Sequence, residues 1–140
     1  MTGTGSRIRG YACTFGNVDL GRDRMLRGAF AASLLRRPAN DVRMLWQHDP
    51  ARPVGRWTRI VEDRHGLWVE GILADAPSAR DAAALVAGRA LDGLSIGFRT
   101  VTARRVAGIR NITRADLHEV SLVTFPMNGS AKIYQQEHTE

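Results

Sequence analysis

Short segments in which apolar and polar residues alternate recur along this chain, with turn-forming residues between them. One of them reads ALDGLSIGFRT and begins at residue 90. If it is a strand, Leu94, Ile96 and Phe98 share one face, because successive strand residues point to opposite sides of a sheet. Ser95 and Gly97 then share the other face. The pattern predicts a strand that buries apolar side chains and presents a hydroxyl with room beside it.

Other segments also show the alternation typical of strands or the spacing typical of helices. The strand patterns cover Arg7–Phe15, Val42–Trp46, Val54–Glu62, Leu67–Leu73, Arg99–Arg105, Ile109–Arg114 and Leu117–Phe125. Helical spacing covers Leu26–Arg37, which Pro38 ends, and Asp75–Gly88. Most successive strands are connected closely enough to be antiparallel neighbours. We therefore expect a mainly β fold with helices (α+β): a small closed or nearly closed antiparallel β-barrel of about six or seven strands, flanked by helices.

Local signals fill in the connections. Gly16–Arg24 and Gln47–Gly55 are rich in Gly, Pro, Asn and Asp and are expected to be loops, with His48 at the entrance to the second. In the second helix, Ser78 is placed as an N-cap and Asp81 would complete a capping box. Each of these local predictions can be compared with the folded chain.

The length of 140 residues fits one domain, expected over residues 1–134, followed by a polar C-terminal tail over 135–140. Cys13 is the single cysteine and is expected to be a small buried residue, so no internal disulfide can form. The spacing of His and Cys fits no zinc site, and no metal or organic cofactor is expected. The chain has no long apolar run and no signal-peptide pattern, so we expect a soluble protein that is not exported and does not bind a membrane.

The chain is basic, with a formal net charge of +6, and Lys132 is its one lysine. Such a charge favours an acidic partner surface. The arginines are scattered rather than clustered, and aromatic residues make up 6% of the chain, so nucleic acid is not the expected partner.

Ser95 could act as a nucleophile if a base lies within hydrogen-bond reach. Among the histidines, His48 follows an apolar strand and fits either a general base or an ordinary surface residue. His65 falls in a hairpin turn and His138 in the tail, and both are expected to be exposed and without a catalytic role.

The adjacent pair His118 and Glu119 lies in the strongest strand pattern of the chain. Strict alternation puts them on opposite faces, and Glu119 then shares its face with Leu117 and Ser121. A carboxylate in so apolar a strand needs a partner, either an imidazole N–H or an arginine at the strand edge. The pattern alone does not choose between these partners, nor between the two faces.

Three sets of segments occur in a familiar order: FGNVD with RGAFAASL, MLWQHDP with PVGRW, and LDGLSIGFRT with LHEVSLVTFPMN. Together they resemble the prohead proteases of tailed phages with the HK97-type capsid, which also occur in phage-derived gene transfer agents and prophages. The resemblance covers about residues 11–128. It implies a relative of the herpesvirus assemblins, serine proteases built on a β-barrel wrapped by helices.

Carried over by position, the resemblance implies a catalytic triad of His48, Ser95 and Glu119. One departure is His118, which stands where the family commonly has an aromatic residue. Because the herpesvirus relatives use a second histidine as the third triad member, His118 is the alternative to Glu119.

Oxyanion donors are not identified by the resemblance. Backbone amides near Gly97 or in a turn expected at Ile112–Asp116 are candidates, as is Arg114 acting through water.

The resemblance also implies substrates and surroundings. They are the scaffolding segment of the major capsid protein and the protease itself, cleaved inside the procapsid in the cytoplasm of a bacterial host. The assemblin likeness suggests a homodimer. Two rival hypotheses are a catalytically silent assembly factor on the same fold and, less favoured, a basic β-barrel that binds nucleic acid.

Overall fold

A computed structural model describes residues 6–138 of the chain, and for 135–138 it describes the backbone. Its elements, in chain order, are β1 (Ser6–Thr14), β2 (Asp23–Met25), α1 (Ala31–Arg36), β3 (Arg43–Trp46), β4 (Asp49–Glu62), β5 (Gly66–Leu73), α2 (Pro77–Ala87), β6 (Gly93–Val106), β7 (Ile109–Val123) and β8 (Lys132–His138). A 3-10 turn at Ala39–Asp41 joins α1 to β3. No helix within residues 6–138 is long and apolar enough to cross a bilayer.

Seven strands close into a barrel in the order β7-β3-β4-β5-β1-β8-β6, and β6 pairs with β7 to complete the ring. The short strand β2 adds to β7 beside β3. The predicted barrel flanked by helices is therefore confirmed. The purely antiparallel arrangement is wrong, because β3 and β2 both run parallel to β7. Long crossovers separate these strands in the chain, and such connections allow parallel pairing where a hairpin would forbid it.

The barrel interior is filled by apolar side chains from the inward faces of the strands and from α1 and α2. Trp57 of β4 is its largest fully buried side chain, and its Nε1–H donates to the carbonyl oxygen of Val120 on β7 at 3.2 Å. This bond joins two strands that both flank β3 and do not pair with each other, so Trp57 ties β4 directly to β7.

Replacing Trp57 by alanine should therefore lower the free energy of unfolding by about 3–5 kcal/mol, the usual cost of emptying a large aromatic site. Denaturant unfolding followed by circular dichroism measures this loss. Trp57→Phe is the matched variant, since it keeps an aromatic ring but removes the N–H donor, and it should lose less stability. An alanine variant as stable as the wild type would contradict the assignment of Trp57 to the centre of the core.

The first helix is shorter than the predicted Leu26–Arg37. Gly28 has a positive φ of 95°, which a right-handed helix cannot contain, so α1 begins only at Ala31. The helix ends at Arg36, just ahead of Pro38, and the predicted stop signal is confirmed.

The second helix lies where it was predicted, but its start differs. Ala76 is the N-cap residue and its side chain makes no cap hydrogen bond, so the expected Ser78 cap and Asp81 capping box are wrong. Pro77 occupies the first helical turn instead, where its fixed φ suits the helix and its missing N–H costs nothing. Gly88 is the C-cap, as predicted.

Two further predictions are corrected. The segments Ile109–Arg114 and Leu117–Phe125 are parts of one continuous strand, β7, that forms a long hairpin with β6. The backbone of residues 135–138 lies in β8, paired with β1, rather than in a tail, while residues 139–140 lie outside the described part. The sequence did not predict β8 or β2, because β8 is polar and β2 has three residues, so neither shows alternating apolar residues. These strands form through backbone pairing with their neighbours in the barrel rather than through burial of alternate side chains.

The barrel closes only narrowly between β8 and β6. Their register contains one pair, Gly93 with Lys132, supported by a backbone bond from Leu94 N to the Ala131 oxygen at 3.1 Å. Beyond that point, no described strand pairs with the edge of β6 that faces away from β7. The sheet therefore opens into a gap immediately next to Ser95.

Candidate active site

A two-residue turn, Gln47–His48, joins β3 to β4. Both residues have positive φ, 52° and 60°, as a type I′ hairpin turn requires. The expected loop over Gln47–Gly55 is therefore wrong, because β4 already begins at Asp49 and pairs with Trp46. Neither turn residue is a glycine, so the conformation is strained and needs support from surrounding contacts.

Strand β7 supplies that support. Gln47 N donates to the Leu122 oxygen at 2.9 Å, and the Gln47 side chain exchanges two hydrogen bonds with Thr124. His48 N donates to Ser121 Oγ at 3.2 Å. The turn is thus bound to the end of β7 on its backbone and on its side chains, which fixes where the His48 ring can lie.

Glu119 of β7 binds the imidazole of His48. His48 Nδ1 lies 2.6 Å from Oε2 and 2.9 Å from Oε1 of the carboxylate. An ionised carboxylate can only accept, so Nδ1 carries the proton and, in the neutral ring, Nε2 is the free acceptor. Ser121 Oγ donates to Glu119 Oε1 at 2.7 Å and is fully buried. The carboxylate is therefore held from two sides, and the ring is fixed in one tautomer.

Gly97 makes room for this carboxylate. It pairs directly with Glu119 across β6 and β7. A Cβ at residue 97 would lie 2.6 Å from both Cδ and Oε2 of Glu119, closer than real Cβ contacts allow. The glutamate side chain thus lies over a position that only glycine can occupy without displacing it.

The predicted strict alternation at His118 and Glu119 is wrong, because a β-bulge interrupts it. The β6–β7 register shifts there, with Gly97 opposite Glu119 but the next residue opposite Leu117. As a result Leu117 and Val120 both enter the core, and Glu119 does not share a face with Leu117. His118 is exposed on the bulge and is not among the residues that line the cavity containing His48.

Ser95 lies on β6 directly opposite Ser121 and is 6% exposed. Ser95 and His48 both line one cavity of about 180 Å³, which occupies the gap beside β6. Within the described residues no hydrogen bond joins the Ser95 hydroxyl to the imidazole. Such bonds are commonly long in a protein without substrate and shorten when substrate binds.

Cys13 also lines this cavity. Burial, reinforced by the nearby Asp19 carboxylate, raises the pKa of its thiol to about 12. The thiol is therefore protonated at neutral pH and is a poor nucleophile, because the thiolate is the reactive form. Ser95 is the better candidate of the two.

The remaining sequence candidates lie elsewhere. His65 is exposed in the β4–β5 turn and contacts the ring of Tyr11 edge-on, as expected for a surface residue. The side chain of His138 lies outside the described part of the chain. The turn expected at Ile112–Asp116 is wrong, since these residues lie inside β7, and Arg114 is exposed there. Among residues 6–138 no group of three His, Cys, Asp or Glu could hold a metal ion.

Sequence reasoning missed the contribution of Ser121. Its spacing of two from Glu119 was visible as a shared strand face, but nothing in the pattern indicated that its hydroxyl joins the carboxylate to the backbone of His48. The hydrogen bonds of Gln47 to Thr124 were likewise invisible, since these residues are far apart in the chain.

Solved structures of viral proteases share this fold. The KSHV protease, determined with a hexapeptide phosphonate inhibitor, superposes with a TM-score of 0.65 at 15% identity, covering 96% of this chain and 66% of that one. The capsid assembly protease of bacteriophage T4 gives 0.67 at 8% identity, covering 84% and 81%. The varicella-zoster virus protease gives 0.60 at 13% identity, covering 96% and 65%.

Sequence comparison is more specific. The prohead protease of Enterobacteria phage HK97 is 34% identical over 144 residues, which cover 95% of this chain and 62% of that protein. The chain thus spans less than two thirds of the length of this curated relative. The family profile of the caudovirus prohead serine proteases matches residues 2–140. The resemblance inferred from the three motif sets is confirmed, and the chain belongs to the caudovirus prohead serine protease family.

Proposed function

We propose that this chain is a serine endopeptidase that cleaves the scaffolding segment of a major capsid protein, and itself, during maturation of a phage-type procapsid. The observation that carries the proposal is the imidazole of His48, fixed by Glu119 at 2.6 Å in the cavity that Ser95 also lines. Membership of the prohead protease family supports the substrate class. The proposed place of action is the interior of the procapsid, in the cytoplasm of a bacterial host.

In the proposed mechanism, Ser95 Oγ attacks the scissile carbonyl while Nε2 of His48 takes its proton. The same nitrogen then delivers that proton to the leaving amine. In the second half of the reaction, His48 takes a proton from a water molecule, the water attacks the ester formed on Ser95, and the acyl product is released as Ser95 regains its proton. Glu119 keeps Nδ1 protonated and stabilises the imidazolium that forms. We favour Glu119 over His118 as the third member, since the carboxylate makes the hydrogen bond that this position requires.

The proposal is tested by co-expressing the chain with the capsid protein of the same phage or gene transfer agent. The wild type and the Ser95→Ala variant are compared by intact mass of the capsid protein. Loss of an N-terminal capsid segment with the wild type only would support the protease. Co-assembly with capsid proteins of identical mass would favour the silent assembly factor instead.

Ser121 provides a finer test of the same machinery. Removing its hydroxyl in Ser121→Ala deletes one hydrogen bond to the carboxylate and leaves the backbone N–H of His48 without its acceptor. A hydrogen bond to a charged group is worth about 1.5–3 kcal/mol, so kcat should fall by roughly 10- to 100-fold. KM should change little, because Ser121 is fully buried and does not line the cavity that Ser95 and His48 share.

The matched variant is Ser121→Thr, which keeps the hydroxyl and should recover most of the lost kcat. The downfield proton resonance of His48 Nδ1–H reports the pair directly and should weaken in the alanine variant but not in the threonine variant. Equal kcat values in the wild type and the alanine variant would show that Ser121 has no positioning role.

A further inference from the structure

Folding gathers arginines that lie in separate segments of the sequence. One group of them lies at a cleft between the end of α1, the start of β3 and the middle of β7, and the cleft has a volume of about 370 Å³. Its lining residues are Ser33, Arg36, Arg37, Asp41, Arg43 and Asp116. Ligand sites typically measure about 300–1,000 Å³, so this arginine cleft has room for side chains of a partner.

Two arginines share the single carboxylate of Asp116. Arg36 binds its Oδ1, and Arg99 of β6 binds its Oδ2 at 2.5 Å. The Asp116 side chain is 13% exposed, whereas those of Arg36 and Arg99 are 55% and 65% exposed. Each guanidinium has five N–H donors, so both keep donors that face solvent. One of their two positive charges is left without compensation.

Arg37 and Arg43 have no acidic partner. Arg37 Nη1 donates to the carbonyl oxygen of Leu117 at 2.6 Å, which fixes the guanidinium without neutralising its charge. Arg43 is exposed and lies directly opposite Arg56 in the β3–β4 register. Like charges placed directly opposite each other destabilise a sheet. Within the described residues none of these three arginines forms an ion pair.

The nearest carboxylates do not relieve this repulsion. Glu119 lies beside Arg43 in the parallel β3–β7 register, but its carboxylate binds His48. Asp41 lines the cleft and forms no ion pair with any described residue. The cleft is therefore rich in hydrogen-bond donors that carry unpaired positive charge.

The net charge of the site is large for so small a protein. With Arg56 and Arg99 added to the lining residues, five arginines face two aspartates, so five positive and two negative charges leave a net +3. The formal net charge of the whole chain is +6. Half of it lies at one place, which the scatter of arginines along the sequence did not indicate.

We propose that the arginine cleft binds an acidic segment of the protein that this protease cleaves, with carboxylates of that segment on Arg36, Arg37 and Arg43. The proposal rests on the protease function proposed above. Guanidinium groups bind carboxylates through paired, charge-assisted hydrogen bonds. Within the described residues no aromatic ring lines the cleft for a base to stack on, and two aspartates do line it, so nucleic acid fits less well.

The cleft lies within reach of the proposed nucleophile. Arg99, which binds the Asp116 wall, follows Ser95 by four residues on β6. At about 3.3 Å per strand residue, the two lie about 13 Å apart along the strand. One extended segment of substrate therefore spans both places, and the acidic residues add affinity without touching the reacting atoms.

Binding is tested with a fluorescein-labelled peptide of glutamate and serine and with its glutamine counterpart. The Ser95→Ala protein is used so that no probe is cleaved, and fluorescence anisotropy gives Kd. Arg43→Gln removes one charge from the cleft. Arg64→Gln is the matched control, because it removes the same charge from the exposed β4–β5 turn.

The glutamate peptide is expected to bind at least about 10-fold more tightly than the glutamine peptide, and added salt should weaken it. Arg43→Gln should weaken it about 5- to 10-fold, while Arg64→Gln should bind as the wild type does. Equal affinity for the two peptides, or an equal loss in both variants, would overturn the proposal. So would tighter, Arg43-dependent binding of oligothymidylate, which would assign the cleft to nucleic acid.

Thermal unfolding separates binding from a structural role. Because Arg43 lies opposite Arg56, Arg43→Gln should leave Tm unchanged or raise it, although the same change weakens the peptide. A clear fall in Tm would show that Arg43 stabilises the fold, and its assignment to binding would fail.

The link to cleavage is measured on the active wild-type chain. A peptide that spans the capsid cleavage site is extended by a glutamate-rich or a glutamine-rich segment, at each end in turn. At one end the glutamate extension should lower KM at least about 5-fold relative to glutamine, with kcat little changed. Equal KM values at both ends would overturn the substrate assignment. Arg43-dependent binding without cleavage of any peptide would instead refute the protease function.

Discussion

Replacement of Ser95 by alanine is expected to lower kcat for peptide cleavage by at least about 10³-fold. Removing the nucleophile of a serine triad leaves only the rate enhancement that substrate binding and electrostatic stabilisation provide. Purified variants with a peptide that spans the capsid cleavage site give kcat directly. His48→Ala should show a loss of similar size, and the double variant should be little worse than either, because the two residues act as one unit.

Stability is the first control for this prediction. The Ser95 hydroxyl has no hydrogen-bond partner among the described residues, so alanine removes no internal bond. We expect the free energy of unfolding to change by less than about 1 kcal/mol. His65→Ala is the matched histidine control, since its ring is exposed in a distant turn, and it should keep wild-type kcat. A Ser95→Ala variant with wild-type kcat would exclude Ser95 as the nucleophile.

Gly97→Ala is expected to reduce kcat by about 10³-fold while the protein stays folded. The new Cβ would lie 2.6 Å from Cδ and Oε2 of Glu119, and the glutamate, as the end of a flexible side chain, would rotate away. The imidazole of His48 would then lose the acceptor that fixes its tautomer. Loss of that function in a serine triad costs about 10⁴-fold, which sets the upper limit of the effect.

The measurement compares kcat of Gly97→Ala with that of Glu119→Gln, which keeps the side-chain shape but removes the charge. Both should lose activity to a similar degree, and combining them should add little. Gly129→Ala is the matched control, because no atom lies within 4 Å of the Cβ it would introduce. Wild-type kcat in Gly97→Ala would show that the carboxylate can move without consequence, and Glu119 would lose its proposed role.

Much of the fold was predictable from local pattern. Alternation of apolar residues located most strands, and the gaps between the predicted strands coincide with the turns of the β4–β5 and β6–β7 hairpins. These features depend on neighbours in the chain, so the sequence carries them directly. The motif sets also nominated His48, Ser95 and Glu119, although their catalytic roles stay predictions until the variants are measured.

Contacts between distant segments decided the rest. The bulge at His118 sends Leu117 and Val120 into the same core and turns Glu119 toward His48, which strict alternation could not predict. Parallel pairing of β3 with β7 holds the strained His48 turn, and the opening between β6 and β8 creates the cavity. Local sequence therefore determined which segments are strands and which side chains are available. Only the closed barrel determined register, since register depends on hydrogen bonds and packing between strands far apart in the chain.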